Sequence, residues 1–217
     1  MTKQEMIERA EKMRSCDLYG QVSEAELEGL SAAETEVKIP VSQGRDILVY
    51  QIETKNRPSQ GGMLINFHGG GFIKGRQEKD RLFCSKLAEK FQALVWDVDY
   101  SLAPEAPFPK AVYEAYDAVK YAFDRSGELG IDRNKIILMG HSAGGNLAAT
   151  VCMKAGETGD FLPAGLVAEF FPADLYTDPA EKTRVEGDMP AKVAKTYNSF
   201  YCSGEQAKDP YASPIFA

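Results

Sequence analysis

The residues most able to do chemistry in this sequence are one serine and two glycine-rich stretches. Gly140-His141-Ser142-Ala143-Gly144-Gly145-Asn146 places Ser142 between glycines two positions to either side. Residues 135–139 before it are a short apolar run, β-branched at Ile136 and Ile137, which predicts a buried strand. Residues 146–151 after it hold no breaker and predict a helix. A G-x-S-x-G between strand and helix has the form of a nucleophile elbow, a sharp turn that lifts the hydroxyl out of the sheet. Gly140 and Gly144 are then the positions where side chains would collide as helix and strand cross. An ordinary glycine-rich loop shares the bare pattern, so the context decides. The second stretch is His68-Gly69-Gly70-Gly71-Phe72, directly after the apolar residues 63–67. Three successive glycines let the backbone bend until its N–H groups converge on one spot. Such a spot suits the oxyanion of an acyl-transfer intermediate, where losing one donor costs about 3–4 kcal/mol. A phosphate-binding turn would need a Gly-Lys-Ser/Thr ending, and a dinucleotide site G-x-G-x-x-G; neither is present.

The elements needed to position these residues alternate along the chain. Residues 3–14 carry Met6, Ile7, Ala10 and Met13 on one helical face, and Ser23-Glu24-Ala25-Glu26 has capping-box form. Residues 37–41 and 47–52 read as strands joined by a turn over 42–46, and residues 56–62 as a loop. Then follow a strand at 63–67, a helix at 78–91 with Leu82, Phe83, Leu87 and Phe91 facing in, and a strand at 93–98. A helix at 108–125 with Val112, Tyr116, Val119 and Phe123 inward leads to the elbow strand and helix, and residues 165–171 are a sixth strand. Strands alternating with helices predict a mostly parallel α/β sheet covered on both faces. Residues 172–208 break the alternation with polar, Tyr-rich sequence and one helix over 191–201, which predicts an insertion above the sheet. Two prolines make 209–217 extended or looped.

Bulk properties exclude several classes. The chain has 217 residues, 44% hydrophobic and 26% charged, which suits one soluble domain with a full core. A formal charge of −7 argues against nucleic acid or an anionic membrane surface as partner. No apolar leader and no membrane-span-length run is visible. Cys16, Cys84, Cys152 and Cys202 are far apart, without C-x-x-C pairing, so the expectation is free thiols in a reducing cytoplasm and no zinc site.

Taken together, His68-Gly69-Gly70-Gly71, Gly140-His141-Ser142-Ala143-Gly144-Gly145 and Asp99-Tyr100-Ser101-Leu102-Ala103-Pro104-Glu105 resemble the hormone-sensitive-lipase-like carboxylesterases of the α/β-hydrolase fold. Asp209-Pro210-Tyr211-Ala212-Ser213-Pro214 resembles a further landmark of that family, so the resemblance runs from about Gly62 to the end. It implies a three-layer α/β sandwich with a small helical cap. It also implies Ser142 as nucleophile, the N–H groups of Gly70, Gly71 and Ala143 as oxyanion hole, and His68 as a residue shaping the oxyanion loop. The substrate implied is a small, short-acyl ester, with no cofactor and no metal; a homo-oligomer is left open. The division expected is cap helices in 1–34, core in 35–171, cap insertion in 172–208, and in 209–217 the start of the core's C-terminal part. Two local departures are Ser101, where the family usually has Arg, and His141, where it often has Asp.

The larger departure is an absence. In this fold the triad runs Ser, then acid, then His, yet both histidines precede Ser142. His141 is adjacent to Ser142 and should point elsewhere, and His68 sits on the oxyanion loop. Asp174 and Asp178 follow the sixth strand, one strand too early for the family's acid, and read as cap or loop residues. The family's sheet has eight strands; the two without a counterpart here carry the acid and the base. The expectation is a C-terminally incomplete esterase, nearly inactive by itself, with the last strand exposed at the sheet edge. Competing readings are a ligand-binding protein on the same scaffold, and an amidase or acyl transferase using the same elbow. Tyr176, Tyr197 and Tyr201 either line a pocket from the cap or simply pack.

Overall fold

The structure is a computed structural model describing residues 1–15, 22–42, 44 and 46–217. Cys16 and, within the expected 42–46 turn, Gln43 and Arg45 lie outside the described residues. In chain order the elements are α1 (Lys3–Arg14), α2 (Glu24–Glu28), β1 (Ala33–Ile39), β2 (Ile47–Glu53), β3 (Gly61–Phe67), α3 (Glu78–Phe91) and β4 (Leu94–Asp99). They continue with α4 (Lys110–Asp124), β5 (Ile131–His141), α5 (Ala143–Thr158), β6 (Gly165–Glu169) and α6 (Ala191–Tyr201), then two short 3-10 turns. No helix among the described residues is long and apolar enough to cross a membrane.

The six strands form one sheet in the order β1-β2-β4-β3-β5-β6. β1, β2 and β4 pair antiparallel in turn; β4, β3, β5 and β6 are parallel neighbours. The alternation along each parallel strand sorts residues onto two faces. Ile65, Trp96, Ile136 and Leu138 belong to the large core that includes α4 and α5, where Val112, Tyr116, Val119 and Phe123 are buried as the helical periodicity predicts. Ile52 and Val95 face the other way and pack with Cys84 and Ala88 of α3. The result is a three-layer α/β arrangement with β6 at one rim.

Three boundaries differ from expectation. β1 starts at Ala33 and ends before Pro40, whose missing N–H cannot continue the ladder to Val41. β6 stops at Glu169, since Phe170 takes φ 35°, outside strand geometry. α4 starts after Pro109, not at Phe108. The inward face of α3 also differs. Asp80, Cys84, Ser85 and Ala88 are its buried residues, while Phe83 and Phe91 are 40% and 58% exposed. The small side chains let the helix lie close on β4 and β2, and the aromatic stripe turns toward the open side of the sheet.

α1 and α6 sit at the end of the sheet where β3 and β5 terminate. Ala10 of α1 is fully buried, with Met6 and Met13 packed against the core. Both N-terminal helices carry capping boxes, Thr2 with Glu5 and Ser23 with Glu26, as the sequence predicts for the second.

Candidate active site

β5 runs out at His141, Ser142 turns the chain, and α5 begins at Ala143. Ser142 takes φ 52° and ψ −123°, a conformation that costs a non-glycine residue about 1–3 kcal/mol and persists only where the surroundings impose it. Its N–H donates to the Glu169 carbonyl at the end of β6 (3.0 Å), and its own carbonyl accepts from Asn146 N–H (3.2 Å). The glycines are set by contact. A Cβ on Gly140 would lie 2.4 Å from the Gly144 carbonyl carbon, and one on Gly144 only 1.8 Å from the Phe67 carbonyl oxygen. Gly145, to which the motif alone gives no role, would place a Cβ 2.8 Å from that of Phe171. The first turn of α5 is thus wedged against the end of β3, where the second glycine stretch begins.

That stretch takes Gly70, Gly71 and Phe72 through positive φ (125°, 63° and 62°). The Gly70 carbonyl accepts from the N–H groups of Ile73 and Lys74, closing the loop. Among the described residues, the N–H groups of Gly70, Gly71 and Ala143 donate to no backbone carbonyl. The His68 ring is fully buried beneath the loop: Nδ1 donates to the Gly69 carbonyl (2.8 Å), and the ring stacks on Tyr100 with centroids 4.3 Å apart. Tyr100 also donates its hydroxyl to the His68 carbonyl (2.8 Å). Nε2 of His68 is buried without a hydrogen-bond partner, 4.0 Å from Asp99 Oδ1.

The His141 ring lies against the Gly69 backbone and beside the Phe170 ring. Burial holds its pKa below 6.5, so it is neutral near pH 7. No hydrogen bond joins either imidazole to Ser142. Asp174 accepts from the N–H groups of Tyr176 and Thr177 and pairs with Lys182 (3.5 Å). Asp178 pairs with Lys195 and caps the N–H of Ala180. Both carboxylates are occupied, Asp174 within its own loop and Asp178 by its loop and Lys195 of α6.

Polar ties reach the site from distant parts of the chain. Arg14 of α1 donates to the carbonyls of Ile73 (2.8 Å) and Ala103 (3.0 Å) and clasps Glu105 in two hydrogen bonds (2.6 and 2.7 Å). It thereby joins the glycine loop to the 99–105 motif, a role that no local pattern around Arg14 announces. Asn146 donates to the carbonyls of Pro172 (2.8 Å) and Ala212 (2.9 Å), tying the elbow helix to the segments on either side of α6. Ser101 donates its hydroxyl and N–H to Glu114, 2.7 Å each, and Lys110 supplies the cation at 3.2 Å. Asp97, beneath the loop, accepts from Asn66 (2.8 Å) and Arg76 (2.6 Å); burial outweighs both and lifts its pKa, as it does for Asp99.

The cap tyrosines divide. Tyr197 presses its ring on Gly71, where a Cβ would come within 2.1 Å of it. Tyr201 is almost completely buried, stacked on Phe72 at 3.6 Å and edge-on to Phe108, so it packs. Tyr176 is half-exposed under Lys208.

A strained serine between a parallel strand and a helix, beside a glycine loop on the neighbouring strand, defines an α/β hydrolase by fold. The chain belongs to the alpha/beta hydrolase fold family, which it matches over residues 64–217. Within that family its sequence is similar to hormone-sensitive lipases and esterases. Bovine hormone-sensitive lipase is 32% identical over 173 residues, covering 78% of this chain and 23% of the lipase. An arylesterase of Saccharolobus solfataricus is 36% identical over 154 residues, covering 67% of this chain and 49% of the arylesterase. Among solved structures, an esterase of Pyrobaculum calidifontis superposes with a TM-score of 0.78 at 30% identity, over 99% of this chain and 68% of its own. The chain thus spans between about a quarter and a half of the two curated relatives.

Proposed function

We propose that this chain carries the nucleophile and oxyanion hole of a serine hydrolase for small, short-acyl carboxylic esters. The observation that carries the reading is the Ser142 backbone, held in a strained turn and wedged against a glycine loop whose N–H groups are unspent. In the reaction, Ser142 Oγ attacks the ester carbonyl carbon and gives up its proton to a base. The carbonyl oxygen becomes an oxyanion, stabilised by the N–H groups of Gly70, Gly71 and Ala143. The alcohol leaves with a proton, and water releases the acid from acyl-Ser142 by the reverse sequence. His68, locked by Tyr100 and the Gly69 carbonyl, shapes the loop and is not the base.

Among the described residues neither imidazole is hydrogen-bonded to Ser142, and this supports the reading that residues 1–217 by themselves lack a positioned base. Loss of the base costs on the order of 10⁶ in turnover, whereas the hole and binding keep roughly 10³–10⁴ over water. The same observation favours a second reading, a ligand-binding protein on the esterase scaffold. The free, buried thiols of Cys84 and Cys202, the latter's pKa pushed up to about 12, fit a reducing cytoplasm.

The test is treatment of purified 1–217 with a fluorophosphonate, alongside steady-state hydrolysis of p-nitrophenyl acetate. Slow labelling that maps to Ser142 and vanishes in Ser142→Ala is expected, with turnover far below the usual ~10 s⁻¹ of enzymes. Labelling that persists in Ser142→Ala refutes the nucleophile. Turnover at enzymatic rates shows that a base is present after all, and then His141 and His68 are the residues to replace.

A further inference from the structure

A loop of glycines has no side chains of its own to hold it, and glycine has the most backbone freedom to lose. Oxyanion donors are effective only when fixed beforehand on one point. Beyond the turn closed at the Gly70 carbonyl, what fixes this loop must come from outside it. Three successive loop residues are each gripped by a helix distant in sequence. Gly71 lies under the Tyr197 ring of α6, so close that a Cβ on it would stand 2.1 Å from the ring's Cδ1. Phe72, a bulky residue at φ 62°, stacks on Tyr201 of the same helix, with centroids 3.6 Å apart and planes 5° from parallel. Ile73 offers its carbonyl to Arg14 Nε of α1 (2.8 Å). The two helices are themselves tied, Arg9 of α1 donating to Thr196 of α6 (3.2 Å). α6 is pinned at its end as well, where the Tyr201 carbonyl accepts from Phe108 N–H (2.8 Å).

The three grips are not equivalent. Phe72 and Ile73 also bury side chains of their own, and the Phe72 carbonyl accepts from Ala103 N–H (2.8 Å). Gly71 has no side chain to bury, and its φ of 63° lies in a region that glycine enters and leaves freely. Contact with the ring is what sets its place.

We propose that Tyr197 is a positioning residue for the oxyanion hole: its ring seats Gly71, so that α6 sets where the N–H groups of the loop aim. The contact is steric, with Cδ1, Cε1 and Cγ of the ring standing where a side chain at 71 would begin. Glycine at 71 is therefore required twice, for its φ and for the ring that fills its side-chain space. Tyr197 and Tyr201 are four residues apart on one face of α6, so a shift of the helix moves both rings together. Misplacing a positioned group by about 1 Å costs on the order of 10²-fold in rate, and losing one oxyanion donor about 10²–10³. The catalytic meaning rests on the proposed function; the seating of the loop by the ring does not.

The experiment replaces Tyr197 by Ala, Leu and Phe in residues 1–217 and reads two signals. The first is hydrogen exchange of the Ile73 and Lys74 amides, which close the loop on the Gly70 carbonyl, and of the Ala103 amide on the Phe72 carbonyl. The amides of β3 and β5 are the internal reference. Expected is roughly tenfold or more faster exchange at those three amides in Tyr197→Ala and Tyr197→Leu, with the reference unchanged. Tyr197→Phe keeps the ring and should stay near the parent. The second signal is the rate of fluorophosphonate labelling at Ser142, expected about tenfold or more slower in the Ala and Leu variants and near parental in Phe. Gly71→Ala, alone and with Tyr197→Ala, completes a cycle in which direct contact makes the double variant no worse than the worse single one. Tyr176→Ala, half-exposed ahead of α6, should change neither signal. Exchange that quickens evenly through β3 and β5, loop amides indifferent to loss of the ring, or Tyr197→Phe as impaired as Tyr197→Ala would each overturn the proposal. So would effects of Gly71→Ala and Tyr197→Ala that simply multiply, or a released loop with Ser142 labelled at the parental rate. Release of the loop by Tyr197→Ala, in a chain whose parent is never labelled at Ser142, upholds the seating and counts against the catalytic reading alone.

Discussion

Gly144→Ala tests whether the elbow is built by contact. A Cβ at this position would sit 1.8 Å from the Phe67 carbonyl oxygen, 2.4 Å from its carbon and 2.6 Å from the His68 carbonyl oxygen. All three are backbone atoms of the strand that leads into the glycine loop, so no side chain can swing aside. Accommodation requires α5 to lift from β3 by more than an ångström, loosening its buried face. Overpacking of this kind costs typically 1–3 kcal/mol, and occasionally more where backbone must move. Gly156→Ala, twelve residues further along the same helix, is the internal control: its Cβ would meet nothing within 4 Å. There alanine should gain helix stability, roughly 0.5–1 kcal/mol. The two variants of one helix should therefore differ by about 1.5–4 kcal/mol, which for a chain of this size is roughly 3–16 °C in Tm. Urea or thermal unfolding followed by circular dichroism gives the comparison, and fluorophosphonate labelling tells whether Ser142 still reacts. Gly144→Ala as stable as the parent and still labelled would refute the close crossing of helix and strand.

Two further outcomes are expected. The Tyr201 hydroxyl is buried without a partner, so Tyr201→Phe should be neutral or slightly stabilising in urea unfolding, while Tyr201→Ala, which empties the stack on Phe72, should cost about 3–5 kcal/mol; a large loss in Tyr201→Phe would reveal a hydrogen bond. The Arg14 guanidinium holds the Glu105 carboxyl below its ordinary 4.5, so this pair contributes stability above that pH and loses it as pH falls through the lower folded value; stability measured from pH 6 to pH 3 should fall less steeply in Glu105→Gln, and an identical slope would contradict the clasp.

The sequence by itself determined the order of the elements and where the sharp turn and the glycine loop fall along it. Gly140, Ser142 and Gly144 announce a sharp strand-to-helix turn because only glycine tolerates the crossing, and His68–Gly71 announces a loop of free amides because nothing else bends so tightly after a strand. The 3.6-residue spacing of Val112, Tyr116, Val119 and Phe123 was likewise sufficient, since α4 is covered along its whole inner face. Where the pattern failed, the reason is tertiary. Phe83 and Phe91 follow the same periodicity, yet burial depends on a partner facing them, and periodicity cannot say whether one is there. Arg14 and Asn146 act through carbonyls 59 to 89 and 26 to 66 residues away, contacts that exist only once the chain is folded. Whether His68 or His141 serves Ser142 was also a question of direction: the stack on Tyr100 turns one ring under the loop, and the strand's alternation turns the other toward Phe170. Residue type and spacing name the groups, but only the folded backbone aims them.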